Sequence, residues 1–167
     1  MAHNCIFEIR KGEKFSTSEI EKGTMNVALI HEWHPDLFDY ISDDYNNNRD
    51  NDIQNILMSR IGGAFSRNGD LLTLSQKGFD TYIENWVSNI RDVTKTLNPM
   101  NFANESIWVD LHILLPVFQY GSVYIFDKEN EGDIVDWKMW LLYSSMYKDP
   151  NGDGRKFYIG KIWDYHF

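Results

Sequence analysis

The sequence predicts an α+β domain, a mostly antiparallel sheet with two to three helices packed on one face, built from residues 1–167 as a single unit. Three observations lead there. Apolar residues at helical spacing gather in the middle of the chain, β-branched and aromatic runs occupy both ends, and no period of roughly 20–50 residues repeats. The composition supports a real core, since 43% of the residues are hydrophobic and 15% aromatic, whereas disordered chains are poor in such residues.

CIFEIR (5–10) and MNVALIHE (25–32) read as strands bounded by Gly12, Gly23 and Pro35. Between them, Ser18 followed by Glu21 suits a capping box on one helical turn. Pro35 then suits the first position of a helix, on which Leu37, Phe38, Ile41 and Tyr45 gather on one side and Asp36, Asp39 and Asp43 on another. After the polar stretch DDYNNNRDND (43–52), Ile53, Ile56, Leu57 and Ile61 predict a second helix, stopped by Gly62-Gly63. An Asn68-Gly69 turn leads into LLTL. The most regular stripe lies in 75–99, where Phe79, Ile83, Trp86, Ile90, Val93 and Leu97 fall at alternating spacings of four and three, up to the stop at Asn98-Pro99.

Beyond residue 105 the chain turns strand-like: ESIWVDLHILL, SVYIFD, DWKMWLLYSSMY and RKFYIGKIWDYHF. In the last of these, alternation gives Phe157, Ile159, Trp163 and Tyr165 one face and Tyr158, Ile162 and His166 the other. Large rings on both faces mean either cover from both sides or a binding surface, and internal cover is the expectation.

Charge is the most informative global property. The net charge of −9 resides in two windows. Residues 36–52 carry six Asp against Arg49, and 127–136 carry five acids against Lys128, while the remainder is balanced at 14 acids and 14 bases. No basic run exists for tracking phosphates, which argues against direct nucleic-acid binding. The sign fits a protein partner with a basic surface. The partner-binding candidates are therefore Asp36, Asp39, Asp43 and Asp44 in the first window and Asp127, Glu129, Glu131 and Asp133 in the second.

Chemistry-bearing motifs are sparse. KDPNGDGRKF (148–157) places Asp149, Asn151 and Asp153 at the first, third and fifth positions of a calcium loop with Gly154 at the sixth, but Gly160 stands where the bidentate acid belongs. Pro150, Asn151-Gly152 and Asp153-Gly154 equally serve a hairpin turn with weak or no calcium binding. HEWH (31–34) pairs His31 with His34, which would point to opposite sides of a strand, and WVDLH adds Asp110 and His112 as further candidate metal ligands. Asp110 and His112 share a strand face and form the best acid/base pair. The spacing departs from the helical HExxH zinc motif. No GxSxG or P-loop pattern occurs, and RIGGAFSRNGD (60–70) lacks a phosphate-binding spacing.

The single cysteine, Cys5, excludes an intramolecular disulfide and reads as a buried thiol. With no secretory leader and no window long enough to span a bilayer, the expected setting is cytoplasmic, with no membrane association, no cofactor and an open oligomeric state. The sequence thus points to a small acidic protein-binding protein, an inhibitor or immunity-type protein that blocks a basic, nucleic-acid-binding surface of its partner. The alternative is a small metal-dependent or acid/base enzyme using His31, His34, Asp110 and His112.

Overall fold

The computed structural model describes residues 4–35, 38–43, 48–75, 77–81, 84–85, 123–146 and 155–166. In chain order the elements are β1 (Cys5–Lys11), α1 (Thr17–Lys22), α2 (Val27–Trp33), β2 (Tyr40–Ser42) and α3 (Arg49–Asp52). The last of these runs through a π-helical segment, Ile53–Leu57, into α4 (Met58–Ile61). There follow β3 (Phe65–Asn68), β4 (Leu71–Leu74), a helical stretch at 77–81, β5 (Val123–Asp127), β6 (Ile134–Asp136), α5 (Trp137–Met146) and β7 (Lys156–His166). None of the described helices is long and apolar enough to cross a membrane.

The seven strands form one sheet in the order β3-β4-β7-β1-β5-β6, with β2 also on β7. It is an α+β arrangement, mixed through one parallel pair among the described strands, β1 with β5, the other described pairings being antiparallel. The eleven-residue β7 is its spine. One edge of β7 pairs with β1, and the other is shared by β4 near Phe157 and β2 near Tyr165.

A bulge in β7 decides which face its side chains take. Phe7 lies opposite Ile162 and Ile9 opposite Ile159, so two steps on β1 meet three on β7. An extra residue in a period-two strand reverses the alternation beyond it. Phe157, Ile159 and Ile162 consequently enter one core and Trp163 and Tyr165 another, which corrects the expectation that Phe157, Ile159, Trp163 and Tyr165 share a face. Gly160 sits at the bulge because Phe15 packs there, and a Cβ would overlap its ring.

The sheet is covered on both faces, not one. Cys5, Phe7 and Ile9 of β1 face a core closed by Ile53, Leu57 and Ile61 from the α3–α4 helix, Phe79, and Trp140 of α5. Ile6, pointing the other way, joins Met25, Ile30, Phe38, Trp163 and Tyr165. Trp140 stacks on Phe65 at 5.3 Å and meets Phe157 edge-on at 5.5 Å, and such buried rings contribute about 1.5–3 kcal/mol each.

Three stretches differ from their expected elements. Residues 27–33 form a helix rather than a strand because the Asn26 side chain caps it, accepting from Leu29 N at 3.2 Å. Residues 137–146 are helical for the same reason, since Asp136 accepts from Lys138 N at 2.9 Å, ahead of a run rich in Lys, Met and Leu. Residues 40–42 are a strand rather than a helix because β7 offers them a free edge, with Asp39 N donating to His166 O at 2.6 Å. The helix on Ile53–Ile61, the Asn68-Gly69 hairpin turn, β1, β5 and β7 stand as expected. The capping box of this turn lies on Ser16 and Glu19 rather than on the overlapping Ser18 and Glu21. Most of the 75–99 stripe, the strand around 105–115 and the 148–154 turn lie outside the described residues.

Between the contacts of β4 and β2, the edge of β7 is closed by a side chain. Arg49 donates to Gly160 O and, at 2.8 Å, to Ile159 O, and pairs with Asp70 at 3.1 Å. Arg49→Met leaves two carbonyls and a carboxylate without this donor and should cost about 2–3 kcal/mol in urea denaturation. Arg49→Lys should recover only part of that, because an ammonium cannot fork across both carbonyls.

Candidate functional site

Helix α2 brings the two acidic windows together. Its C-cap residue His34 donates from Nε2 to Asp133 Oδ1 at 2.7 Å, across 99 positions of sequence. Asp133 uses the same oxygen to accept from Ile134 N at 2.7 Å, at the start of β6. One turn earlier, His31 Nε2 donates to the Asp39 carbonyl at 2.8 Å. The start of the first window and the β5–β6 hairpin of the second thus meet at the end of one short helix.

The individual acids fare differently. Asp39, Asp43, Glu129 and Glu131 are exposed and have no ion pair among the described residues. Asp133 is part-buried and holds His34. Asp127 is buried, accepting from Trp140 Nε1 and Glu129 N, both at 3.1 Å. It is therefore a structural acid that fastens α5 to β5, not a contact residue. Asp136 is likewise buried, and burial holds its carboxyl above the ordinary range. The partly buried Tyr124 opposite it is raised as well, by desolvation and then by that carboxylate. Asp50 is tied to Arg67. Asp36 and Asp44 lie outside the described residues, and with residues 40–42 in a strand the expected helical stripe of carboxylates is replaced by acids at the two ends of β2.

His31 and His34 do not converge on a common point. One is spent on a carbonyl and the other on a carboxylate, and among the described residues no group of three His, Cys, Asp or Glu side chains is arranged to hold a metal ion. Asp110, His112 and the Asp149, Asn151 and Asp153 loop lie outside those residues.

Beside the hairpin, α1, α2 and β5 enclose a groove of about 280 Å³. Phe15, Leu29, Trp33 and Phe126 line it, with Lys128 and Glu131 at its mouth. Leu29 and Trp33 are one helical turn apart and 37% and 46% exposed. Capping at Asn26 sets this face, a signal hidden by reading MNVALIHE as a strand. Opposite, Arg10 is saturated by Glu19, by the carbonyls of Glu13 and Lys14, and by the Phe15 ring 4.0 Å away.

A buried acid that sequence reasoning missed fixes this side of the fold. The Glu8 carboxylate is fully buried and accepts from Thr24 N at 2.8 Å, from the Thr24 hydroxyl and from Trp163 Nε1 at 2.7 Å. It thereby joins β1, the α1–α2 connection and β7. In CIFEIR the alternation places Glu8 with Ile6, on a face that would have to be satisfied if covered. Gly23 completes the site at φ 79°, where a Cβ would overlap Trp163 and Glu8. No protein-family model, no curated protein and no solved structure matches the chain.

Two outcomes follow from this geometry. Gly23→Ala combines positive φ with a collision and should lose about 2–4 kcal/mol in denaturant unfolding. The second concerns Glu19, whose carboxyl is lowered from 4.5 to about 2, first by the Arg10 hydrogen bond and then by Ser16 N. Because the folded value is the depressed one, the stability it supplies is complete above about pH 4.5 and fades as pH falls toward 2. An NMR titration should put the Glu19 midpoint near 2, and Arg10→Met should move it upward.

Proposed function

We propose that this chain is a small protein-binding protein, a stoichiometric inhibitor of immunity or counter-defence type, that sets an acidic face against the basic, nucleic-acid-binding surface of a partner protein. One observation carries the reading. Exposed Asp39, Asp43, Glu129 and Glu131 have no lysine or arginine pairing with them among the described residues, and the His34–Asp133 contact draws their two windows toward one another. Unpaired surface carboxylates on an otherwise charge-balanced chain raise the rate of encounter with a cationic surface and select against anionic ones.

The chemistry of the described site accords with binding rather than turnover. Its two histidines serve as clasps between elements, and the buried acids Glu8 and Asp127 are consumed by indole and backbone donors. What remains free is the exposed acidic set and an apolar groove beside it.

Affinity capture from the source cells at low and high salt tests the proposal. A basic partner should be recovered at low salt, be lost as salt rises, and be displaced by added nucleic acid. Asp39→Lys with Glu129→Lys should slow association about tenfold while changing stability by less than about 0.5 kcal/mol. Recovery of uncharged partners only, or of none, overturns the reading.

A further inference from the structure

We propose that the groove between α2 and the β5–β6 hairpin receives a large apolar side chain from a basic segment of the partner protein, and is the anchor of the interface. This rests on the acidic-face reading above and names the place where affinity, as opposed to steering, is generated. Trp33 and Leu29 are two of the three exposed large hydrophobic residues among those described. The third, Tyr40, stacks on His166 at 4.7 Å. An exposed Trp beside a concave apolar surface is the pattern of an interface anchor.

Size and charge choose the occupant. At about 280 Å³ the groove falls just below the range of roughly 300–1,000 Å³ usual for small-molecule and cofactor sites, which suits one or two side chains. Its surroundings are net acidic. Glu131 in the lining, Glu129 on the same hairpin and Glu32 beside Trp33 on α2 are exposed with no ion pair among the described residues, against one exposed cation in the lining, Lys128, while Arg10 is occupied by its own neighbours. Lysines or arginines flanking the inserted side chain would meet these acids, and an acidic segment would be repelled.

Glu131 adds an independent sign. It holds φ at 58°, and it is the one non-glycine residue at positive φ among those described. A long acidic side chain in this conformation costs about 1 kcal/mol relative to glycine. The hairpin therefore carries a carboxylate at the groove mouth where a glycine would fold better.

The test uses three synthetic peptides of matched length, one alternating Lys with Leu, one Lys with Ser and one Glu with Leu, titrated into the full chain carrying fluorotryptophan. The Trp33 resonance is assigned through Trp33→Phe. The Lys/Leu peptide should bind and shift that resonance. Its affinity should fall about tenfold in Trp33→Ala and in Leu29→Ala, and about threefold in Glu131→Gly, although Glu131→Gly should unfold at a denaturant concentration equal to or above that of the unaltered chain. Undiminished affinity in Trp33→Ala overturns the proposal, as does equal binding of the Glu/Leu peptide. Equal binding of the Lys/Ser peptide overturns the groove alone and leaves the acidic face standing. Failure of both basic peptides removes the groove and the acidic face together. Sedimentation showing a dimer that Trp33→Ala dissociates replaces the partner with a second copy of this chain.

Discussion

The structure depends on one extra residue in one strand. The bulge in β7 turns Trp163 and Tyr165 away from Phe157, Ile159 and Ile162, and so lets a single strand supply two cores on opposite faces. On the edge of β7 away from β1, between the stretches paired with β4 and β2, the Arg49 guanidinium takes the carbonyls of Ile159 and Gly160. Of the rings in KFYIGKIWDYHF, which admitted a binding surface as one explanation, Phe157, Trp163 and Tyr165 are buried and Tyr158 is partly covered.

What could be read from sequence divides along a physical line. Strands whose β-branched run is flanked by turn residues, such as β1, β5 and β7, are legible because local pattern and tertiary setting agree. MNVALIHE and DWKMWLLYSSM mislead because an apolar run lacks a period of its own, and the deciding signal is a single cap, Asn26 in one case and Asp136 in the other. Residues 40–42 mislead for a different reason. Their apolar spacing admits a helix, and only the vacant edge of a strand more than a hundred positions away makes them β. The same non-locality hid the bulge, which is visible only in register with β1.

The candidate face was legible in outline and not in detail. Counting charges located two acidic windows, but counting cannot separate Asp127, which holds an indole in the interior, from Glu129, which faces solvent. Nor does the pattern HEWH reveal that its second histidine bonds to Asp133. The groove owes its exposed Trp33 to the helical conformation of α2, so an error about one cap concealed the apolar half of the face. Electrostatic steering and apolar anchoring are separable contributions to association, and in the proposed reading they fall to neighbouring parts of the same hairpin and helix.

The placement of β7 has a bearing on how the molecule assembles. The strand synthesised after every other described element is the one all the antiparallel neighbours β1, β2 and β4 require. Until residues 156–166 leave the ribosome, those three strands present unpaired edges and half-covered apolar faces, so closure is a late, long-range event of the kind that folds slowly and recruits chaperones. A nascent chain stalled before that point would be a target for aggregation or proteolysis, and the cellular abundance of the protein is thereby linked to completion of its central strand.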